Sequence, residues 1–494
     1  MTSLFIGGRW VGASGGELRE IVNPYDQTVI EKVDEASPED ALAAVAAARR
    51  AYDDGEWREW TAARRGELLR TVADLLQRNR DEIAKLETLD TGKTLVESGI
   101  DVDDVTAVFR YYAGLATEDA GRVVDAGDPA VNSRILYEPV GVCALIAPWN
   151  YPLLQASWKV APALAAGNTI VLKPSEVTPL STIAMIRLFE EAGAPDGVVN
   201  LVLGAGAAAG QPLVESPDVD LVSFTGGLDT GRAIMRTAAE TVKKVALELG
   251  GKNPNVVFAD APLDAAVDYA LTAVFLHAGQ VCSAGTRLIV EDSLHDEFVA
   301  ELVRRTERIR LGSGLDPSSQ SGPLVSAGHR SKVEAYVALG REEGARLLTG
   351  GARPTDPELQ AGFFYLPTIF GDCDRSMRIV REETFGPIMT IERFTTEAEA
   401  VALGNDTDYG LAGAVWTSDR ARAERVARAL RHGTVWINDF GPYLPQAEWG
   451  GFKRSGIGRE LGPSGLAEYR EAKHIYENTD PRPQHWFGGG SAPE

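Results

Sequence analysis

A cysteine in the segment from Phe275 to Arg287 is the residue whose type and setting most favour chemistry. Cys282 has polar neighbours in Gln280 and Ser283, and a glycine stands three residues to either side of it. Most free cysteines are buried and behave as small hydrophobic residues. Here the polar neighbours argue against that interpretation, and the glycines allow the backbone to approach a ligand closely. We therefore interpret Cys282 as a presented thiol, which is a nucleophile in its thiolate form.

The other two cysteines lack this setting. Cys143 lies in the apolar run 140–146 and is expected in the core of a strand, whereas Cys373 lies in an acidic turn. Three cysteines so far apart form no disulfide framework, and they show no metal-ligand spacing. The pattern indicates a reducing compartment, and it predicts no metal site.

Two further side chains complement a nucleophile. Asn150 follows an apolar run, so a strand end could aim its amide at a developing oxyanion. Glu248 stands between Leu247 and Leu249, where desolvation raises the pKa of a carboxyl group and favours a general base. Taken alone, each residue has an ordinary alternative, a capping amide or a paired structural acid. Together with Cys282 they supply a nucleophile, an oxyanion donor and a base.

Phosphate-binding groups are expected at a second place. The strand-like run 221–224 ends in Thr225-Gly226-Gly227 before a helical pattern, which offers free backbone N–H groups and the positive end of a helix dipole. A structural turn is an equally good interpretation of this motif alone. The sequence lacks the Gly-x-Gly-x-x-Gly pattern of many dinucleotide folds, and the stretch 204–210 comes nearest, with one residue too many.

Lys173 and Glu176 follow another apolar run and stand three residues apart. At the carboxyl end of a strand, such a carboxylate accepts hydrogen bonds from ribose hydroxyls and repels a 2′-phosphate. A surface ion pair is the alternative interpretation. As a nucleotide site, the pair points to NAD rather than NADP.

In these motifs the chain resembles the aldehyde dehydrogenase superfamily. The resemblance implies a cofactor domain, a catalytic domain and a small β oligomerisation arm, and it implies NAD(P) binding without the glycine fingerprint. The matching pieces fall in the family's order along essentially the whole chain: Pro148-Trp149-Asn150, Lys173-Pro174-Ser175-Glu176, Phe224-Thr225-Gly226, Leu247-Glu248-Leu249-Gly250-Gly251, Gly279-Gln280-Val281-Cys282 and Glu382-Glu383-Thr384-Phe385-Gly386-Pro387.

The resemblance also implies a mechanism. Cys282 would attack the aldehyde to give a thiohemiacetal, whose oxyanion is held by Asn150 and the backbone N–H of Cys282. Collapse would transfer hydride to the nicotinamide, and Glu248 would then activate water to hydrolyse the thioester. Glu460 is a candidate proton relay.

The same resemblance names a set of cofactor residues. Glu383 would hold the nicotinamide ribose with Phe385 near the ring, while Lys173 and Glu176 would hold the adenine-side ribose. Gly227 stands where the family often has serine, so one hydroxyl to the pyrophosphate is missing. The expected residues are Trp149, Lys173, Glu176, Phe224, Thr225, Gly226, Gly227, Leu249, Glu383 and Phe385.

Within the superfamily the chain is most similar to the bacterial betaine-aldehyde dehydrogenases. The similarity rests on Tyr151, Trp158 and Trp449, because a quaternary ammonium has no N–H to donate and binds to ring faces. Two positions depart from the pattern: Leu276 stands where plant relatives often have tryptophan, and Glu448 replaces a common proline. The expected reaction is NAD-dependent oxidation of betaine aldehyde to glycine betaine. An aminoaldehyde or another small aldehyde is the alternative substrate.

Two other functional classes compete with a dehydrogenase. A nucleotide-binding regulatory protein would keep the cofactor residues, but it would not need Cys282, Glu248 and Asn150 together. A thiol hydrolase would need a histidine to activate the cysteine, and His277 is the only histidine nearby in sequence. Strict dependence of turnover on NAD distinguishes a dehydrogenase from both.

Alternating strands and helices are predicted to position these residues. From residue 141 to residue 241, apolar runs alternate with helical periodicity, which indicates a parallel sheet with ligands at the carboxyl ends of its strands. A second alternating region runs from 255 to about 450, and residues 122–139 suggest an extended hairpin. The fold class is therefore α/β, with a Rossmann-like cofactor domain, a parallel-sheet catalytic domain and a β arm.

The expected domains divide the chain as follows. The NAD-binding domain comprises 1–120 and 141–250, the catalytic domain 251–454, and the oligomerisation arm and tail 121–140 and 470–494. Helices are predicted from Ser37 to Tyr52, over the segment from Ala63 to Leu89, and from Leu263 to Leu276, where Gly279 ends the helix that leads to the cysteine.

Length and net charge limit the possible number of domains and the possible kinds of partner. At 494 residues the chain is too long for a single core. Its net charge of −22 argues against nucleic acid or an anionic membrane as partner, because both need a basic face, and it weakly suits a small cationic substrate. The sequence shows no leader-like start and no membrane-spanning apolar run. We expect a cytoplasmic protein, and the resemblance adds a homo-oligomer, either a dimer or a tetramer.

Overall fold

A computed structural model describes residues 3–118, 120–484 and 486–487. Residues 488–494 of the expected tail therefore lie outside the described residues. The strands of the described part are β1 (Leu4–Ile6), β2 (Arg9–Val11), β3 (Leu18–Val22), β4 (Val29–Asp34), β5 (Gly121–Val124), β6 (Val131–Pro139), β7 (Val142–Ile146), β8 (Thr169–Lys173), β9 (Val199–Leu201), β10 (Leu221–Thr225), β11 (Lys244–Glu248), β12 (Pro254–Val257), β13 (Arg287–Glu291), β14 (Arg346–Thr349), β15 (Thr368–Gly371), β16 (Ile388–Phe394), β17 (Ala412–Trp416), β18 (Thr434–Ile437), β19 (Gly456–Ile457) and β20 (Arg470–Asn478).

The helices alternate with these strands through most of the chain. They are α1 (Pro38–Asp53), α2 (Ala62–Arg78), α3 (Arg80–Thr91), α4 (Leu95–Leu115), α5 (Pro152–Ala166), α6 (Leu180–Glu191), α7 (Gln211–Glu215), α8 (Leu228–Ala239), α9 (Leu263–Phe275), α10 (Asp292–Thr306), α11 (Ala327–Glu342), α12 (Arg378–Arg381), α13 (Glu397–Asn405), α14 (Arg420–Ala429) and α15 (Gly462–Glu468). None of these helices is both long and apolar enough to cross a membrane.

An eight-stranded sheet carries the first alternating region. Its order is β19-β11-β10-β7-β8-β9-β1-β2, and the pairs from β11 through β9 are parallel. The strand order reverses between β7 and β10, and ligands of open α/β sheets bind in the crevice at such a switch point. β7, β8 and β10 are buried along their whole length, as expected for a parallel sheet covered on both faces.

A seven-stranded sheet carries the second alternating region. Its order is β14-β15-β16-β13-β12-β17-β18, and every pair except β14 with β15 is parallel. β19, which follows this region in sequence, returns to pair with β11 of the first sheet. The structure thus has two parallel-sheet regions with helices on their faces, as the sequence predicted.

The predicted hairpin is present as part of a small separate sheet. β5 and β6 pair antiparallel, and β20 pairs with β6 from Arg470 opposite Pro139 to Asn478 opposite Val131. The C-terminal strand therefore completes an arm that the hairpin begins. A fourth, two-stranded sheet joins β3 and β4.

Local capping sets the helix boundaries, and it corrects one prediction. α1 begins after Ser37, whose side chain accepts from the backbone N–H of Asp40 in a capping box. The helical segment predicted from Ala63 to Leu89 is two helices, because α2 ends at the cap residue Asn79 and α3 begins after it.

The helix before the cysteine ends earlier than predicted. α9 stops at Phe275, and His277 and Ala278 adopt left-handed φ angles of 47° and 52°. Residues with side chains rarely adopt this conformation, which cannot continue a right-handed helix. The chain therefore turns before Gly279, and that glycine extends the turn with a φ of 74°.

Candidate active site

A cavity of about 790 Å³ lies at the carboxyl edge of the eight-stranded sheet, over the ends of β7, β8, β10 and β11. Asn150 and Cys282 both line it, so the predicted oxyanion donor and nucleophile meet in one place. Every residue predicted to hold the cofactor lines the same cavity: Trp149, Lys173, Glu176, Phe224, Thr225, Gly226, Gly227, Leu249, Glu383 and Phe385.

Cys282 lies in the cavity wall, on the loop between α9 and β13. The loop packs closely against the segment that carries Phe385. A Cβ added to Gly279 would come within 2.1 Å of the backbone carbonyl oxygen of Gly386, and the left-handed φ of Gly279 also requires glycine. This glycine therefore sets how near the loop comes to the segment around Phe385. We call residues 276–286 the nucleophile loop, after the role predicted for Cys282.

Asn150 connects the end of β7 to the nucleophile loop. Its side chain is buried, and Nδ2 donates to the backbone carbonyl of Gln280 at 2.8 Å. A side-chain amide nitrogen carries two hydrogens, so the second N–H remains available to a ligand atom. Asn150 thus combines a fixed position with a free donor.

The surroundings of Cys282 do not ionise its thiol. Burial raises the pKa of Cys282 to about 12, and the carboxyl groups of Glu383 and Glu248 add to the rise. A thiol with this pKa is protonated at neutral pH, whereas the sequence analysis assumed a thiolate. The proton must therefore leave as the sulfur attacks, or a positive charge must come near first.

Glu248 ends β11 and is buried beside Gly450, where an added Cβ would lie 2.9 Å from its Oε1. Burial raises the pKa of Glu248 well above its usual range, Glu460 adds to the rise, and Lys159 opposes it. Glu460 is buried in an ion pair with Lys159, whose Nζ also donates to Thr225 Oγ1 at 2.7 Å. The predicted base and the predicted relay are therefore neighbours, and they lie behind the residues that line the cavity.

Glu383 is held at the cavity edge by the loop that follows Glu248. Its Oε1 accepts from the backbone N–H of Gly251 at 3.0 Å, and a Cβ on Gly250 would lie 2.1 Å from its Oε2. Burial raises the pKa of Glu383 to about 7. The loop thus fixes this carboxyl group at a distance that only glycine permits.

A histidine that the sequence analysis missed packs at the same end. The ring of His329 lies 4.9 Å from that of Trp149 and 6.0 Å from that of Phe385, and its Nε2 bonds to the Phe385 carbonyl oxygen at 2.6 Å. Burial lowers the pKa of His329 to about 4, so the ring is neutral at pH 7 and Nε2 carries the hydrogen that it donates. Phe385 has a φ of 55°, a rare conformation that this bond stabilises.

Charged residues cluster at the other end of the cavity. Lys173 Nζ lies 3.9 Å from Glu176 Oε2, and burial lowers the pKa of Lys173 while Glu176 opposes the shift. Arg19 and Glu35, which the sequence analysis missed, form an ion pair at 2.5 Å, and Glu35 Oε1 accepts from the backbone N–H of Ala205 at 2.8 Å. Lys173 is buried, which argues against the surface ion pair that was the alternative interpretation.

The stretch 206–210 also belongs to the cavity, although the sequence analysis gave it no role. It forms a π-helical turn, and Gly206, Ala207 and Gly210 line the cavity. A Cβ on Gly210 would lie 3.4 Å from the side chain of Lys173. Such turns are frequent at functional sites, and the run of small residues was the only signal for this one in the sequence.

Trp158 and Trp449 belong to a buried aromatic cluster. Their rings lie 5.8 Å apart, and the ring of Tyr443 lies 5.1 Å from Trp158 and 6.3 Å from Trp449. The Tyr443 hydroxyl donates to Asp104 at 2.5 Å. Neither Tyr443 nor Asp104 was predicted, because nothing in their own segments marks them as ligand-binding.

Tyr151 contacts a different group. Lys93 Nζ lies 3.7 Å from the centroid of the Tyr151 ring. Lys93 is fully buried and forms ion pairs with Asp101 at 2.5 Å and Glu87 at 3.2 Å. The ring of His277 meets Tyr151 edge-on at 5.6 Å. None of the three predicted substrate rings, Tyr151, Trp158 and Trp449, lines the cofactor cavity.

The two departures from the resemblance lie at exposed positions. Leu276 is 41% exposed. Glu448 is exposed, and its carboxylate accepts from the Ser464 hydroxyl at 3.0 Å in the first turn of α15. The Glu448 carboxylate is therefore bound at the start of α15.

The lining of the cavity fits a dinucleotide. Carboxyl groups at its two ends, those of Glu176 and Glu383, suit ribose hydroxyls. Between them Gly226 and Gly227 precede α8, a 12-residue helix whose first N–H groups have no side-chain cap and suit a pyrophosphate. A Cβ on Gly227 would meet nothing within 4 Å, so the structure offers no steric reason for glycine where serine is common.

The chain is similar to known proteins over nearly its whole length. Residues 10–475 match the model of the aldehyde dehydrogenase family. A betaine aldehyde dehydrogenase of Bacillus subtilis is 60% identical, over 98% of this chain and 99% of that protein. A peroxisomal aminoaldehyde dehydrogenase of Pisum sativum is 45% identical, over 98% and 97%. A crystal structure of betaine aldehyde dehydrogenase from Staphylococcus aureus with NAD+ superposes with a TM-score of 0.98 at 52% identity, over 99% of this chain and 97% of that one.

Proposed function

Since the chain belongs to the aldehyde dehydrogenase family, we propose that it oxidises betaine aldehyde to glycine betaine with NAD, through a thiohemiacetal and a thioester on Cys282. The observation that carries the proposal is that Cys282 and Asn150 line one cavity whose lining residues suit a dinucleotide, with Glu248 buried next to the lining residue Leu249. The predicted superfamily and the predicted fold class are confirmed by the family match and by the solved structures.

The first step is attack of the Cys282 sulfur on the aldehyde carbon. Because the thiol is protonated at rest, its proton passes to water as the sulfur–carbon bond forms. The carbonyl oxygen becomes an oxyanion, which accepts from the free N–H of Asn150 and from the backbone N–H of Cys282. Both donors are fixed before the reaction, so little reorganisation opposes this step.

NAD, when bound, supplies the acceptor for the hydride that leaves the thiohemiacetal carbon. Glu383 would hold the ribose beside the nicotinamide, and Trp149 and Phe385 would pack near the ring. At the far end Glu176 and Lys173 would hold the adenine-side ribose, with Glu176 opposing a 2′-phosphate.

Hydrolysis of the thioester needs a base. We assign this role to Glu248, because a raised pKa makes its carboxylate a stronger base than that of an ordinary glutamate. Glu460 and Lys159 form a buried pair next to it, through which a proton taken from water can pass on. Glu460 therefore acts as a relay and Glu248 as the group that contacts the water.

The aromatic cluster supports a substrate with a quaternary ammonium group. The rings of Trp158, Trp449 and Tyr443 pack edge to face against one another, and Asp104 holds the Tyr443 hydroxyl. A quaternary ammonium binds to the faces of such rings. The relatives include both betaine aldehyde and aminoaldehyde dehydrogenases. An aminoaldehyde is therefore the second candidate substrate, because Asp104 and Asp101 could accept from its N–H groups.

We propose the organisation predicted from the sequence for the remaining features. Residues 1–120 and 141–250 would form the NAD-binding domain, and 251–454 the catalytic domain. Residues 121–140 and 470–494 would form the arm of a homo-oligomer, a dimer or a tetramer, because the sheet of β5, β6 and β20 stands apart from the two large sheets. A cytoplasmic location accords with the free cysteines.

The test is a comparison of kcat/KM for betaine aldehyde, 3-aminopropanal and 3,3-dimethylbutanal with NAD, each corrected for aldehyde hydration. We expect betaine aldehyde to exceed its uncharged carbon analogue, 3,3-dimethylbutanal, by at least roughly tenfold, since a desolvated cation–π contact contributes about 2 kcal/mol. A higher value for 3-aminopropanal would favour the second candidate, and equal values for all three would contradict both assignments.

A further inference from the structure

One buried amide joins the nucleophile loop to the seven-stranded sheet. Asn253 lies between the end of β11 and the start of β12 and is 1% exposed. Its Nδ2 donates to the carbonyl oxygens of Cys282 and Ala284, both at 2.9 Å. Its Oδ1 accepts from the backbone N–H of Ala412 in β17 at 3.0 Å. These partners fix the orientation of the amide, because only the nitrogen can donate to two carbonyls.

The same residue also binds through its backbone. The Asn253 carbonyl oxygen accepts from the N–H of Arg287, the first residue of β13, at 3.2 Å. Nearby, a Cβ on Gly251 would lie 2.5 Å from the carbonyl oxygen of Cys282 and 2.6 Å from Asn253 Oδ1. The loop 249–253 therefore packs directly on the peptide that follows the nucleophile.

Asn150 and Asn253 hold the peptides on either side of the oxyanion donor. Asn150 binds the carbonyl of Gln280, and Asn253 binds the carbonyl of Cys282. The backbone N–H of Cys282 lies between these two fixed carbonyls. Its direction is therefore set by one amide on each side.

We infer that Asn253 is a positioning residue for the oxyanion hole, acting by fixing the backbone of Cys282 so that its N–H points at the developing oxyanion. The inference rests on the proposed function, because it assumes that Cys282 is the nucleophile. Asn253 touches neither substrate nor cofactor in this role. Misplacing an oxyanion donor costs roughly 10- to 1000-fold in rate, so the effect should be large even though the change is indirect.

The chain offers a matched control in Asn200. This asparagine is also fully buried, and its Nδ2 donates to two carbonyls, those of Ile170 at 3.0 Å and Gly197 at 2.8 Å. Its Oδ1 accepts from the backbone N–H of Gly7 at 2.9 Å. Asn200→Ala and Asn253→Ala thus each remove two donated hydrogen bonds and one accepted hydrogen bond. The bonds of Asn253 lie beside the nucleophile, whereas those of Asn200 are remote from it.

The experiment measures two reactions of Cys282 that need no cofactor. In acylation by p-nitrophenyl acetate, the thiol loses its proton, a sulfur–carbon bond forms through a tetrahedral oxyanion, and the carbon–oxygen bond breaks to release p-nitrophenolate. In alkylation by iodoacetamide, sulfur displaces iodide and no oxyanion forms. Stopped-flow absorbance follows the first, and mass spectrometry of the Cys282 peptide follows the second.

We expect Asn253→Ala to slow acylation of Cys282 by at least roughly tenfold, while alkylation stays within about twofold of wild type. Asn200→Ala should lower Tm by a similar amount and leave both rates unchanged. The single-turnover rate of NADH formation should fall with the acylation rate. If Asn253→Ala fails to fold, Asn253→Leu keeps the size of the side chain and removes the same hydrogen bonds without adding a charge, and the same result is expected.

Two outcomes would overturn the inference alone. One is acylation at the wild-type rate in the Asn253 variants, and the other is an equal loss of acylation and alkylation, which would indicate general disorder of the loop. The proposed function fails in a different way. In that case the wild-type enzyme would form no NADH from betaine aldehyde, or Cys282→Ala would still be acylated and still turn over.

Discussion

The Nζ of Lys93 lies 3.7 Å from the centroid of the Tyr151 ring. A cation of the chain itself therefore covers one face of a ring that the sequence analysis assigned to the substrate. Lys93 is fully buried and paired with Asp101 and Glu87, which hold it in place. A substrate cation could use only the opposite face of Tyr151, so we expect Trp158 and Trp449 to contribute more to cation binding than Tyr151 does.

Replacement of Trp449 should reduce the preference for a charged substrate. In Trp449→Leu we expect the ratio of kcat/KM for betaine aldehyde to that for 3,3-dimethylbutanal to fall by roughly tenfold, since a desolvated cation–π contact is lost. Activity on the neutral aldehyde should persist. Tyr151→Leu should change the ratio less, and a larger effect in Tyr151→Leu than in Trp449→Leu would contradict the inference drawn from Lys93.

Replacement of the nucleophile should separate chemistry from cofactor binding. Cys282→Ala should reduce NADH formation to background, because alanine cannot form the thiohemiacetal, while the Kd for NAD measured by calorimetry stays nearly unchanged. Cys373→Ala is the control, because this cysteine does not line the cavity and the variant should keep full activity. Turnover in Cys282→Ala would remove the residue from its role.

Replacement of the base should stop the reaction after one turnover. Glu248→Gln should still form NADH in a rapid single-turnover phase, because hydride transfer does not need the base, and steady-state turnover should then fall by roughly 100-fold as the thioester persists. Stopped-flow absorbance of NADH measures both phases, and intact-protein mass spectrometry detects the acylated enzyme. Undiminished steady-state turnover would contradict the assignment of Glu248.

The thiol of the cofactor-free enzyme should react faster as pH rises. Because burial raises the pKa of Cys282 to about 12, the thiolate fraction at pH 7 is small and grows about tenfold for each pH unit. The rate of Cys282 alkylation by iodoacetamide should therefore increase steadily from pH 7 to pH 9. A plateau in this range would mean a much lower pKa and an ionised resting nucleophile.

The charge of Glu176 should set the choice of cofactor. We expect the wild-type enzyme to prefer NAD over NADP in kcat/KM, and we expect Glu176→Gln to shift the ratio toward NADP by roughly tenfold, because the repulsion of a 2′-phosphate is removed. Glu383→Gln is the comparison, since this carboxylate lies at the other end of the cavity and should weaken both cofactors alike. Equal use of both cofactors by the wild type would remove Glu176 from its role.

Several residues of the candidate site were predictable from the sequence because they stand at the ends of strands. Lys173, Thr225 and Glu248 each end a strand of the eight-stranded sheet, and parallel strands bring their carboxyl ends to one edge. An apolar run predicts a strand, so it also predicts which residues stand at the end of that strand. The roles given to these residues remain predictions that the experiments above would test.

Features that depend on packing between distant segments could not be read in the same way. The sequence interpretation missed His329, although it packs on Trp149 and Phe385, because it lies on a helix whose pattern shows nothing unusual. Tyr443 and Asp104 are far apart in the sequence, and folding brings them together in a hydrogen bond. Asn253 follows the motif around Glu248, but its hydrogen bonds to the nucleophile loop join segments that are distant in the sequence.

The sequence by itself determined which chemical groups this protein carries and at which strand ends they stand, because motifs and hydrophobic periodicity are local properties of the chain. The tertiary structure alone decided the protonation of Cys282, the cation that covers Tyr151 and the amide that fixes the nucleophile loop. Each of these depends on burial or on a distance between residues far apart in sequence. Such quantities exist only after the sheets have packed, because desolvation and charge interactions arise from the folded surroundings.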